Sequence, residues 1–167
     1  CGVTEKVYYA KNFGILPRTG VDVTAEVCSA IEQIKLERDG KRARLVFEKG
    51  DYDFFPGKQL REYYISNHDQ NNPKSVAVVL EKMKNFTLDG SGSSFHMNGR
   101  MLPLSMIDCE GCAVENLSID TRVPQITQVE ILENDVEKGL ITYRIAPYVN
   151  YRIENRRLVV SGSNWEF

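Results

Sequence analysis

Asn85-Phe86-Thr87-Leu88-Asp89 and Asn116-Leu117-Ser118-Ile119-Asp120 repeat one pattern of asparagine, apolar, hydroxyl, apolar and aspartate, at an offset of 31 from 85 to 116. In each stretch the period-2 alternation sends two apolar side chains to one face and the hydroxyl to the other. Short strands recurring at a fixed interval, with polar turns between them, are what a stacked β-solenoid requires. Each coil there buries its inward residues only against its neighbours. Phe86, Leu88, Leu117 and Ile119 are the expected inward residues. The sequons at Asn85 and Asn116 read as turn and ladder asparagines rather than sugar acceptors.

Upstream, Val7-Tyr8-Tyr9 forms a short extended element, broken by Gly14, Pro17 and Gly20. A helix is expected over 24–38, with Asp22 and Thr24 as N-caps, Val27, Ala30, Ile31 and Ile34 on one apolar face, and Asp39-Gly40 at its end. Strands are expected at Leu45-Val46-Phe47, Tyr52 to Phe55, Tyr63-Tyr64-Ile65, Val76 to Leu80 and Met106-Ile107. After Pro124 the segments 125–132, 140–145 and 158–160 are longer and partly alternating, as in an antiparallel meander. The reading is therefore two units: a β-solenoid portion over 1–123 with a capping helix near 24–38, and a small antiparallel β-subdomain over 124–167. No closing cap follows Trp165 and Phe167, so the chain is expected to be the N-terminal part of something longer.

The 167 residues carry 21 Lys+Arg against 23 Asp+Glu, a formal charge of -2. That balance gives no broad field for a polyanion and argues against a nucleic-acid binder. The longest apolar run, Val76 to Leu80, is strand-sized, far short of a membrane-spanning helix. Four cysteines, Cys1, Cys28, Cys109 and Cys112, are too few for a disulfide scaffold. Cys1-Gly2 matches the start of a processed bacterial lipoprotein, which makes Cys1 a lipidation candidate; the alternative is a simple boundary of the sequence.

Ser66 to Asn72 concentrates polar side chains between apolar strands, either as a ligand-facing loop or as a solvated loop with self-capping Asn and Asp. His96, between Phe95 and Met97, reads as a structural histidine. Glycosidic cleavage needs two carboxylates, one to protonate the leaving oxygen and one to activate water or attack. Asp51 and Asp53 share one side of a strand but read as a strand entry. Asp89 and Asp120 occupy equivalent places in the 31-residue echo, where they could approach each other, and read as turn caps. Cys109 and Cys112 have redox spacing without the βαβ context, and two thiolates do not complete a zinc site. They read as reduced structural cysteines, or as a local disulfide if the protein is exported. Asp89 to Ser94 lacks the Lys-Ser/Thr ending of a P-loop and reads as a turn between coils.

Asn12-Phe13-Gly14, Leu45 to Phe54, Tyr64-Ile65-Ser66-Asn67-His68-Asp69-Gln70, Asn85 to Gly90, Gly99-Arg100-Met101-Leu102-Pro103 and Glu115 to Asp120 together resemble the N-terminal part of glycoside hydrolase family 110, the bacterial exo-acting α-galactosidases. The resemblance implies a mainly β fold: right-handed parallel β-helix coils of the pectin-lyase-like kind, interrupted by a β-subdomain after Pro124. It implies inverting hydrolysis of terminal α-galactosides, including α-1,3-linked galactose, with the catalytic carboxylates beyond Phe167. Asn67, His68, Asp69 and Arg100 are then the candidate substrate-binding residues at one end of a groove. No cofactor, metal or nucleic-acid partner is expected. The partner is a glycan with terminal α-galactose, and the location is periplasmic or outer-membrane, with membrane contact only through Cys1. Two alternatives share the scaffold: a non-catalytic carbohydrate-binding solenoid, and a polysaccharide lyase or polygalacturonase relative.

Overall fold

The computed structural model describes residues 4–38, 41–66, 73–162 and 165–166. The structure is mainly β, with one α-helix and parallel sheets. In chain order the elements are β1 (Lys6–Tyr9), a 3₁₀ turn (Ala10–Phe13), β2 (Arg18–Asp22), α1 (Thr24–Glu37), β3 (Ala43–Val46), β4 (Asp51–Phe54), β5 (Val76–Glu81), β6 (Phe86–Met97), β7 (Leu102–Ile107) and β8 (Ala113–Thr121). Then come β9 (Val129–Asp135), β10 (Leu140–Ile145), β11 (Asn150–Glu154), β12 (Arg157–Gly162) and β13 (Trp165–Glu166). The long strand β6 organises the parallel part. Its first half pairs with β3 and its second with β4, while β8 runs along its other edge over both halves. β1 and β2 extend this sheet, and β5 pairs with β7 in a second parallel sheet. β9–β10 and β11–β12–β13 are antiparallel.

The helix forms with its expected apolar stripe: Val27, Ala30, Ile31 and Ile34 are buried, and α1 packs against β5 and the 3₁₀ turn; its N-cap is Val23 rather than Asp22 or Thr24, and Asp39-Gly40 lie outside the described residues. Its first turn is held by the Asp22 carboxylate, which accepts from the Thr24 N–H at 2.9 Å, while the Thr24 hydroxyl accepts from the Phe55 N–H at 3.0 Å. The core between helix and sheets includes an aromatic cluster in which the Phe95 ring lies 5.1 Å from Phe47, 5.7 Å from Tyr52 and 5.1 Å from Phe54.

The 31-residue echo is not the structural repeat. Val76 pairs with Leu102 and Glu81 with Ile107, an offset of 26 that continues through Lys84 with Glu110 and Leu88 with Val114. The turn between the strands repeats in its backbone: Lys82 (φ 50°) and Asp108 (φ 51°) are left-handed, as are Asn85 (φ 50°) and Gly111 (φ 62°). The inward residues of that turn, Met83 and Phe86 below and Cys109 and Cys112 above, differ chemically, and this hides the repeat in the sequence. Asn116 is also left-handed (φ 56°), but it lies inside β8 as a kink. The echo thus matches two asparagines chosen for the same backbone conformation at different places in the fold.

Three further corrections follow from register. Asp89 and Asp120 are not equivalent, because Asp89 lies beside Glu115 and Asp120 beside His96. The stretch Asp89 to Ser94 is a bend within β6 rather than a turn between coils: left-handed Ser91 and Gly92 shift the alternation, so Phe86 and Leu88 face inward before it and Ser93, Phe95 and Met97 after it. Tyr63-Tyr64-Ile65 makes no strand; Tyr63 forms a single antiparallel bridge with Lys74. Phe86 and Leu88 are fully buried, Leu117 packs partly against the core, and Ile119, beside buried Phe95, remains 44% exposed.

Candidate functional site

The outward face of β4, β6 and β8 is a polar field laid out by the pleat. Tyr52, Phe54, Phe95 and Met97 point into the core, so the alternate residues must point out. Register places Asp51 beside Ser94 and Ser118, and Asp53 beside His96 and Asp120. Asn98 and Arg122 follow at the strand ends. The Ser94 and Ser118 hydroxyls lie 3.0 Å apart, and His96 Nε2 lies 2.9 Å from Asp51 Oδ1. His96 is thus structurally engaged, and Asp51 is the first residue of β4.

Asp53 is the anchor of this face. Its side chain is fully buried, yet it receives four hydrogen bonds: Arg122 Nε at 2.8 Å and Nη2 at 3.0 Å, Asn98 Nδ2 at 2.7 Å and the Gly20 N–H at 2.6 Å. Burial opposes the charge, but these donors outweigh it and hold the carboxyl at about 2. The fork of Arg122 grips both oxygens and so links β4 to the end of β8.

Beside it stands a second hub. Arg44 on β3 donates to Glu5 at 3.2 Å, Asp89 at 2.9 Å and Glu115 at 2.5 Å, spanning four segments of chain. The Asp89 carboxyl is partly desolvated, but Asn116, the Ser91 N–H and Arg44 hold it below its usual value. Its bond to the Ser91 N–H at 2.9 Å is the turn cap expected of it. A general acid for glycoside cleavage needs a raised pKa. Asp53 and Asp89 are held ionised within ion pairs, which does not suit either of them as the general acid.

Of the candidate substrate-binding residues, Asn67, His68 and Asp69 lie outside the described residues, as does Cys1. Arg100 sits half-buried in the connection from β6 to β7, beside Gly99, whose carbonyl accepts from Gln125 Nε2 at 3.0 Å. Cys109 and Cys112 are free thiols donating to the Leu80 carbonyl at 3.1 Å and the Met83 carbonyl at 3.2 Å of the neighbouring layer. Among the described residues, no group of three or more His, Cys, Asp or Glu converges as a metal site, and no helix is long and apolar enough to cross a membrane. Sequence reading missed the Asp53–Asn98–Arg122 cluster. The available signal was an aspartate and an arginine at outward positions of strands whose inward neighbours are apolar, but their pairing depends on register.

No family model matches the chain. Curated proteins do: it is 49% identical over 164 residues to Alpha-1,3-galactosidase B of Bacteroides fragilis, covering 96% of this chain and 27% of that protein. It is 42% identical to the Alpha-1,3-galactosidase B of Parabacteroides distasonis (98% of this chain, 27% of that protein) and 43% identical to one from Phocaeicola vulgatus (96% and 28%). A mainly β chain built on parallel ladders is thus homologous, over nearly all its length, to part of the α-1,3-galactosidases, in keeping with the resemblance to glycoside hydrolase family 110. It spans about a quarter of the length of these relatives.

Proposed function

We propose that this chain is the N-terminal portion of an exo-acting, inverting glycosidase that removes terminal α-1,3-linked galactose from glycans. The observation that carries the reading is near-complete coverage of the chain by galactosidases at 42–49% identity. In this reading the parallel sheets are the first coils of a right-handed parallel β-helix, α1 caps them, and β9 to β13 belong to a small antiparallel subdomain. The Arg44 and Asp53 hubs clamp successive coils together. Asn67, His68, Asp69 and Arg100 line one end of the groove. The family resemblance implies that the catalytic acid and base come from coils beyond Phe167, and the ion-paired Asp53 and Asp89 serve the scaffold in this reading. The protein works outside the cytoplasm.

The test is hydrolysis of terminal α- and β-galactosides, including a branched blood-group-B trisaccharide, by this chain and by the polypeptide extended to the length of its relatives. Release of galactose from α-1,3-linked substrates by the long form alone, with inverted anomer, is the expected result. Release by the short chain overturns the placement of the catalytic acids. A folded long form that binds the glycans without cleaving them overturns the enzyme reading in favour of a carbohydrate-binding solenoid.

A further inference from the structure

The 3₁₀ turn and α1 meet at a cleft that plays no part in the polar face of β4, β6 and β8. Gly14 closes the turn in the left-handed region (φ 78°), its N–H bonding the Lys11 carbonyl at 3.1 Å, and this holds Asn12 and Phe13 alongside the helix. Ala25, Ser29 and Gln33 succeed one another at i, i+4 and i+8, with Glu26 and Ala30 beside them, so one stripe of α1 faces the turn. The small side chains Ala25, Ser29 and Ala30 leave space where larger ones would pack, and a cleft of about 480 Å³ results. That is within the range of small-ligand sites.

We propose that this cleft is a secondary glycan-binding site that holds a single neutral sugar residue. Phe13 is half-buried, packed on the core with its ring 6.3 Å from that of Tyr8, so the aromatic surface it lends the cleft is held in place at little entropic cost. Such a surface suits the C–H face of a pyranose. Around it stand an amide, a hydroxyl and a carboxylate, on Asn12, Ser29 and Glu26, none of which has a side-chain hydrogen bond among the described residues. Gln33 uses its Nε2 on Glu37 at 2.7 Å and keeps its carbonyl oxygen for a ligand. Mixed donors and acceptors match vicinal hydroxyls, and the lining contains no Lys or Arg to select an anion. The site needs no catalytic group. Its choice of a galactoside as ligand rests on the galactosidase reading.

The experiment is a titration of this chain with methyl α-D-galactopyranoside and with an α-1,3-galactobiose, followed by amide chemical shifts. Saturable shifts at Asn12, Phe13, Ser29 and Gln33, with a Kd of roughly millimolar order, are expected. Asn12→Ala and Gln33→Ala remove exposed side chains and should weaken binding about fivefold or more with unchanged thermal unfolding. Phe13→Leu, which keeps apolar packing but removes the ring, should abolish saturation. Non-saturating shifts, shifts confined to the β4–β6–β8 face, or variants that bind like the parent overturn the site. Gln33→Ala in the extended polypeptide should release galactose from a small galactoside at the parental rate. Absent cleft binding with intact hydrolysis thus refutes this site alone, whereas cleft binding without hydrolysis refutes the galactosidase reading alone.

Discussion

Replacing Arg122 with alanine should expose how much of this fold depends on one ion pair. Asp53 is fully buried and Arg122 is its cationic partner among the described residues, with Asn98 and the Gly20 N–H as neutral donors. A carboxyl at about 2 in the folded state, against 3.8 for a free aspartate, corresponds to about 2 kcal/mol of stability at neutral pH. Breaking a fully buried pair costs roughly 3–5 kcal/mol. The guanidinium is 34% exposed and partly screened, which lowers the expectation to about 2 kcal/mol, or a fall in Tm of roughly 4–8 °C for a chain of this size. Because the folded pKa of Asp53 is depressed, its stabilisation is complete above about pH 4 and is lost as pH falls toward 2. The gap between parent and Arg122→Ala should therefore be full at pH 7 and shrink through that window. Urea denaturation by circular dichroism at pH 7, 4 and 2.5 measures it, and Asp53→Asn with the double variant supplies the coupling energy. Equal stability of parent and Arg122→Ala at pH 7, or a gap that grows on acidification, would refute the reasoning.

Three other outcomes are expected. Gly90→Ala would place a Cβ 2.5 Å from Leu117 Cβ and 2.8 Å from the Asn116 carbonyl oxygen, so β8 must move away; a loss of about 1–3 kcal/mol should appear in urea denaturation. Tyr52 is buried with its hydroxyl donating to the Glu48 carbonyl at 2.7 Å, and desolvation pushes its phenol up to about 12. The parent should then lose stability as pH rises from about 10 toward 12, and Tyr52→Phe should lose that pH dependence at a cost of about 1 kcal/mol near neutrality, read by denaturant titration. Alkylation of the native chain followed by peptide mass mapping should label the half-buried Cys109 and Cys112 before the 8% exposed Cys28, because access rather than thiol acidity separates them: burial raises the Cys112 thiol as well as that of Cys28. Cys28 should react at their rate only once the chain is unfolded.

Alternation in Phe86-Thr87-Leu88 and the Val27–Ala30–Ile31–Ile34 stripe were enough to define strand, helix and inward residues, because side-chain direction along one element is a local property of the backbone. The resemblance to the galactosidases likewise lay in contiguous residues. Tertiary structure decided the pairing. β5 to the first half of β6 lies against β7 to the first half of β8 at an offset of 26 residues, with left-handed turns at Lys82, Asn85, Asp108 and Gly111 in matching places, and those turns accept Lys, Asn, Asp or Gly with little trace in the hydrophobic pattern. Asp53 and Arg122, 69 residues apart, meet only because register carries β8 past His96 to its own end. For the same reason Asp89 and Asp120, alike in sequence, face different partners: a strand's alternation is written along the chain, but its neighbour is set by the length of every corner between them.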